Sequence, residues 1–456
     1  MTAKENVKIK TALKISGAFF IALMALSCVT SATVLMEIDL AVSQADYSAA
    51  VETIVREQEG RNAVYSEKDS ILLFLDKGLL EHYAGNYVNS SNDLQNAERL
   101  IEEAYTKSLL ENFFSYITND NVKEYPGEDF EDIYINVFNA LNYYNRGDIE
   151  GALVEIRKLS MSSGKLDMLS RKYEYTDPFT GESLNEMTRR ETGIGELPQK
   201  GQVNFTNSAL ARFLGALFYL GEGNKEAARI EFDQLYAALS NRNIYHTPIP
   251  QAVEQARSVP DGSARLNIIS FTGLSPIKKE ELVVHYLPFF KHPVLQFAIF
   301  KLPAIVRRPS VINRIEVVIE GRSFDLELLE DIGAVIEDTF TAHYSNILIK
   351  TYIRTLLKYA IADIAAIDAR RRNGERSGLI TALAARTAMD LSEEADTRMS
   401  RYLPDKAYIG GINLDPGVYS VIINYYSGNN LIAGVEYRDV TVSQNTLNLL
   451  ESVNLK

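Results

Sequence analysis

The chain has 456 residues, with 47 Lys plus Arg against 60 Asp plus Glu and a net charge of −13, which excludes a general polyanion binder. Hydrophobic residues at 46% and charged residues at 23% exclude wholesale disorder. The one cysteine excludes an internal disulfide and a cysteine-rich zinc site, and there is no tryptophan.

At roughly 150 residues per domain, the length suggests about three units. The first is a leader over 1–36. Lys4, Lys8, Lys10 and Lys14 face only Glu5 and precede an uncharged run over 15–36. A basic flank before an apolar segment is the pattern of an export signal, which places the body outside the cytoplasm. Three endings stay open. Cys28 follows Ala25-Leu26-Ser27, close to a lipobox although Leu stands two positions before Cys rather than three, and is the candidate lipid attachment. Cleavage after Thr30-Ser31-Ala32 is the second. The third is an uncleaved helix, since about 20 uncharged residues span a bilayer.

The second unit, 40–260, has helical periodicity and a recurring helix–turn–helix phrase. Its copies centre on Tyr83-Ala84-Gly85-Asn86-Tyr87, on Tyr143-Tyr144-Asn145-Arg146-Gly147-Asp148, and on Tyr219-Leu220-Gly221-Glu222-Gly223-Asn224. Glycine suits the left-handed turn that ends the first helix, and Asn or Asp suits the cap of the second. This is tetratricopeptide-repeat logic, but the turn glycines at 85, 147 and 223 are irregularly spaced, so a degenerate helical-hairpin solenoid is expected, with a generic helical bundle as the alternative. An insertion near 172–203, rich in Glu, Thr, Gly and Pro, reads as a long loop, a solvated excursion or else a binding lid. Tyr83, Tyr87, Tyr143 and Tyr219 are the candidate partner-binding residues, because tyrosine offers contact area with a polar tip. The bland alternative is that each fills its own hairpin interface.

The third unit, 261–456, is mixed. Strands are expected over 265–271, ended by Thr272-Gly273-Leu274-Ser275-Pro276, then over 295–302 and 311–319. Helices follow over 326–340, 345–371 and 378–389. The charge-poor face Ile349, Ile353, Leu356, Leu357, Ala360, Ile364 fits packing on a sheet. Strands over 408–414, 418–426, 431–436 and 440–442 read as a meander turning at Asp415-Pro416-Gly417 and Ser427-Gly428-Asn429-Asn430. The fold class is therefore α+β: a helical-hairpin solenoid followed by a mixed unit with an antiparallel sheet or small sandwich.

Catalytic patterns are missing. His82, His246, His285, His292 and His343 are scattered with no H-E-x-x-H, and there is neither a Walker A loop nor a G-x-S-x-G. Two S-x-x-K strings, Ser162 to Lys165 and Ser275 to Lys278, lack the companion motifs of penicillin-binding enzymes. The acidic clusters Glu128, Asp129, Glu131, Asp132 and Glu327, Glu330, Asp331, Glu337, Asp338 could supply paired acids. On helices, such spacing is more often a solvated face or first-turn charge. No catalytic residue, cofactor or metal is assigned, and an enzyme is not expected.

In their order, several motifs resemble a family of uncharacterised bacterial envelope lipoproteins with a tetratricopeptide-like body. They are Gly78-Leu79-Leu80 with Ser90-Ser91, Tyr125-Pro126-Gly127 with Phe130-Glu131, Asn142-Tyr143-Tyr144 with Gly147-Asp148, and Gly273-Leu274-Ser275-Pro276 with Lys278 and Glu280. A terminal signature joins them: Asp396-Thr397-Arg398, then Leu403-Pro404, then Leu414-Asp415-Pro416-Gly417. Met399-Ser400 stands where family members tend to carry an aromatic. The resemblance covers about 70–425 and implies a cell-envelope protein of a diderm bacterium with no established enzymatic role. Asp396 and Arg398 read as a structural charge pair at the entry to the β tail. The expected function is a membrane-tethered, extracytoplasmic scaffold that binds an envelope protein or peptide and no nucleic acid. A glycan- or cell-wall-acting enzyme and a surface adhesin or solute binder are the rivals.

Overall fold

The structure, a computed structural model, describes residues 33–58, 63–108, 123–160, 164–166, 168, 203–260, 262–288 and 290–456. Cys28, with the rest of the leader up to 32, and nearly all of the 172–203 insertion lie outside the described residues. Residues 33–36, grouped with the leader by the sequence, begin a helix whose Val34 lies in the core.

Helices come first: α1 (33–43), α2 (Tyr47–Gln58), α3 (Ser70–Tyr83), α4 (Tyr87–Ser108), α5 (Asp129–Asn145), α6 (Ile149–Ser160), α7 (Ala209–Gly221), α8 (Lys225–Leu239) and α9 (Gln251–Arg257). One turn closes four hairpins. Ala45, Gly85, Gly147 and Gly223 take φ of 59°, 80°, 79° and 75°. The N–H of the next residue then donates back five positions, from Asp46 to Ala41, Asn86 to Glu81, Asp148 to Tyr143 and Asn224 to Tyr219, at 2.8–2.9 Å. That bond satisfies a carbonyl the helix end leaves open. Asp46, Asp148 and Asn224 then cap the following helix by accepting from Ala49, Gly151 and Ala227 N–H at 3.0, 2.8 and 3.1 Å. The hairpins pack in series, α2 on α3, α4 on α5 and α6 on α7.

The first hairpin is illegible in the sequence because its left-handed residue is Ala45, whose Cβ crowds the backbone there. Ala45→Gly is expected to raise stability by about 1 kcal/mol, read as a higher urea midpoint at unchanged slope. A lower midpoint would mean that unfolded-chain entropy outweighs the relieved crowding.

The strands and remaining helices are β1 (Ala264–Tyr286), β2 (Phe297–Arg308), β3 (Arg314–Ile319), β4 (Arg322–Asp325), β5 (Glu327–Asp331), α10 (Ile332–Asn373), α11 (Glu375–Ser392), β6 (Pro404–Leu414), β7 (Gly417–Ser427), β8 (Asn430–Val442) and β9 (Asn448–Asn454). The first sheet runs β2-β1-β6-β5, and the second runs β4-β3-β7-β8. The near half of β1 pairs antiparallel with β6, from Ala264 opposite Leu414 to Leu274 opposite Pro404. It also pairs parallel with β9, from Leu266 opposite Asn448 to Thr272 opposite Asn454. The far half pairs with β2, out to Tyr286 opposite Phe297.

Side-chain alternation on β1 builds three layers. Leu266 and Ile268 face the second sheet, against Ile315, Val317, Ile423 and Tyr425. Ile269 and Phe271 face the helices, where Phe271 meets Phe138 at 5.1 Å between ring centroids. The helical core takes in Leu329, Val335, Ile409 and Leu455, so burial is continuous across position 260. The far β1–β2 ribbon packs on α10 and α11, with Phe300 stacked on Tyr352 at 4.1 Å.

Several expectations are corrected. Residues 272–276 do not end the first strand. A register shift between Leu274 and Ile277 brackets Pro276, so its missing N–H breaks no ladder bond there. The expected helix over 326–340 starts as β5, because pairing with β6 outweighs the helical preference of Leu and Glu. Asp331 then accepts from Ala334 N–H at 2.8 Å and caps α10, which runs unbroken through 345 to Asn373. The packed face of α10 is Tyr352, Tyr359, Ala362 and Ala366; of the expected face Leu356 and Ala360 pack beside it, whereas Leu357 and Ile364 are 40% and 69% exposed. The tail is no meander, since β6 and β7 belong to different sheets, β8 is one bulged strand, and β9 is unanticipated.

Candidate functional site

The segment between α11 and β6 carries the terminal signature into the junction of the two halves. Arg398 Nε and Nη2 donate to the Asp396 carboxylate at 2.9 and 2.8 Å. Its Nη1 reaches Asp69 Oδ1 at 3.1 Å and the Lys123 carbonyl at 2.9 Å. One guanidinium thus ties the segment to the helical half by charge-assisted bonds. Pro404 and Gly417 open β6 and β7.

Three buried carboxyls complete the junction and tie the halves together: Asp76 and Glu131 take bonds from both, while Glu330, itself on β5, takes its bonds from the helical half. Asp76 on α3 accepts from Tyr65 OH at 2.7 Å, Ser400 Oγ at 2.6 Å and Arg401 N–H at 2.9 Å. Glu131 on α5 accepts from Tyr125 OH at 2.8 Å, Glu128 N–H at 2.9 Å and Ser400 N–H at 2.6 Å. Glu330 on β5 accepts from Tyr134 and Tyr245 hydroxyls at 2.8 and 2.7 Å. Burial pushes all three carboxyls above the usual range. Glu131 is a first-turn acid of α5 that closes its capping box, though buried, whereas Glu330 stands on a strand and works as an internal acceptor, not as part of a solvated face.

Glu131 makes stability depend on pH. Burial, and then the neighbouring Glu128 carboxylate, push its carboxyl up to about 8 against three donated bonds. A raised carboxyl favours the folded state when protonated. Its contribution is complete below about pH 4.5 and is lost as pH rises through about 8. The urea midpoint is expected to fall steadily from pH 5 to pH 8, and Glu131→Gln to flatten the slope. A midpoint that rises over this range would refute the assignment.

Beside this junction opens a cleft of about 1020 Å³ between α4, α5 and α6 on one side and β1, β2 and α10 on the other. Its walls differ in charge. The helical half contributes Glu98, Glu102, Glu124, Glu128, Asp129 and Asp132 against Lys123, Lys158 and Lys165. The other half contributes Lys278, Lys301, Lys350, Arg354, Arg398 and His343 against Glu394 and Asp396. Ile101, Ile133, Pro303, Phe340 and Ile347 supply apolar surface.

Ion pairs clamp the walls. Lys278 donates to Glu128 and His343 approaches Asp129 at 3.5 Å, both across the cleft. On the acidic wall, Glu98 takes Lys158 and Lys165, each at 2.7 Å, and Lys165 also takes Asp132 at 2.6 Å. Burial works against the Glu98 charge, yet the lysines hold its carboxyl at about 2. On the basic wall, Arg354 pairs with buried Glu393 at 3.0 Å.

Both S-x-x-K lysines line this cleft, but neither string is shown as a dyad. Ser162 lies outside the described residues. Lys278 goes to Glu128, while buried Ser275 Oγ has no hydrogen-bond partner among the described residues. Local pattern could not reveal the cleft, since Lys278 and Glu128 stand 150 positions apart.

The four candidate tyrosines do not converge. Tyr83 lies half-buried against Tyr47 and Phe138 and donates to the Tyr402 carbonyl at 3.0 Å. Tyr87 packs edge-on against His82 at 5.7 Å between ring centroids, and Tyr83 meets the same ring at 5.6 Å. Tyr143 accepts from Gln95 Nε2 at 2.9 Å beneath Arg146, and Tyr219 lies beneath Arg157. None lines the cleft. The hairpin ends are instead crossed by β9, the element the sequence did not disclose. Glu451 pairs with His82 Nε2 at 2.6 Å and accepts from Asn145 Nδ2 at 3.0 Å, while Tyr144 OH meets both Leu447 O and Leu449 N–H. Burial opposes the His82 charge, and Glu451 more than offsets it, raising the ring's pKa.

Among the described residues no three His, Cys, Asp or Glu are grouped to hold a metal, and no helix is long and apolar enough to cross a membrane. Comparison with family models, curated proteins and solved structures finds no match.

Proposed function

We propose that this chain is a membrane-tethered, extracytoplasmic assembly protein whose tetratricopeptide-like hairpins present a surface to an envelope protein or peptide. The observation that carries this reading is the same turn at 41–46, 81–86, 143–148 and 219–224, each closing a helical hairpin, as the units of a repeat array would. The basic and apolar leader supports tethering. Because the inner face of the array is filled by the chain's own sheet, the partner meets the outer helices. There Val88 on α4, Val154 on α6 and Ile230 on α8 are 55%, 47% and 49% exposed.

Photo-crosslinkers placed at Val88, Val154 and Ile230 in the native envelope should yield one shared partner, and a crosslinker at buried Leu153 none. Three unrelated partners, or none, would remove the reading. Mass analysis of the mature N-terminus tests the tether, since Met1 retained with an unmodified Cys28 thiol would reject lipidation.

A further inference from the structure

We infer that the cleft between the halves binds a short peptide carrying both charge signs, with its carboxylate end toward Lys301 and its amine end toward Glu102. The inference stands apart from the tether and from the outer helical surface, for it rests only on the cleft.

Three observations converge. The volume, about 1020 Å³, lies at the top of the range for small-molecule sites and suits an oligopeptide better than a single amino acid. The walls are of opposite sign, so a ligand of one sign meets repulsion from one of them. Polyanions such as acidic glycans face the carboxylates of α4 and α5, and polycations face the lysines of β1, β2 and α10. Ile133, Phe340 and Ile347 add apolar lining on which peptide side chains can pack.

Two lining charges on opposite walls are offered to the ligand, Glu102 and Lys301; Glu394, exposed and with no ion pair among the described residues, stands on the same side as Lys301. Most of the cleft's other charges serve in clamping pairs, as described. Glu102 is exposed on α4 and has no ion pair among the described residues. Lys301 on β2 makes only a 3.8 Å approach to Glu280, whose Oε2 is already taken by Ala395 N–H at 2.9 Å. They stand on opposite walls. A dipolar chain laid across the apolar lining meets complementary charge at both ends.

The test uses the full chain and a degenerate pool of Trp-centred hexapeptides with free termini. Since the protein has no tryptophan, peptide fluorescence anisotropy is read without background. Saturable binding is expected, weakened about tenfold when both peptide termini are blocked and about fivefold by Glu102→Lys or Lys301→Glu alone. The double variant should regain most of the affinity, because a peptide can turn end for end in a cleft of reversed polarity, a recovery that mere structural damage would not give. Lys301→Gln, with an unchanged urea midpoint, guards against misfolding of the reversed variants. Lack of saturation at millimolar peptide, equal binding of blocked peptides, or displacement by an oligouronate would overturn the inference.

Discussion

Glu330→Ala is expected to lower the unfolding free energy by about 3–5 kcal/mol, close to the whole margin of many domains. Glu330 is fully buried on β5, and its oxygens receive Tyr134 OH at 2.8 Å, Tyr245 OH at 2.7 Å, Ser208 Oγ at 3.0 Å and Leu210 N–H at 3.2 Å. Alanine removes the acceptor and keeps the donors, which are then left dry; each unsatisfied group costs about 1–3 kcal/mol, and the costs do not add fully. Glu330→Gln should cost about 1 kcal/mol, since its amide retains one acceptor and hydroxyls can turn to accept from the other end. Because the donors come from α5, α7 and the chain around Tyr245 while the acceptor comes from the sheet, near-ultraviolet and far-ultraviolet signals should lose cooperativity together in urea. An alanine variant within 1 kcal/mol of the parent would show that the carboxyl bridges nothing of consequence.

Deletion of 443–456 is expected to abolish cooperative folding. The lost strand lines one side of β1 over seven paired positions from Leu266 to Thr272. It also supplies Ser452 to the Tyr425 and Tyr437 hydroxyls at 2.5 and 2.9 Å, and Leu455 to the core. Its loss leaves buried His82 without Glu451, and removing one partner of a buried pair costs about 3–5 kcal/mol. The strand also joins the hairpin ends, so loosening should spread from the sheet into α3 and α5. A synthetic peptide of residues 443–456 added in trans should restore the transition, with a midpoint that rises with peptide concentration. A truncated chain that unfolds as sharply as the parent would refute the role of β9.

What the sequence by itself determined is local. Gly85, Gly147 and Gly223 announce left-handed turns because other residues pay a steric penalty there, and Asp148 announces a cap because its short side chain reaches the open N–H groups. The change from period 3.6 to strand-like runs near 260 is visible for the same reason, since it needs only neighbouring residues. Tertiary structure decided the rest. Whether 327–331 is strand or helix depended on an edge offered by β6, and whether Glu131 and Glu330 meet water depended on hydroxyls and amides contributed in part from distant elements. The cleft arises the same way: its walls come from segments over a hundred positions apart, and electrostatic complementarity at that range leaves no periodicity to read.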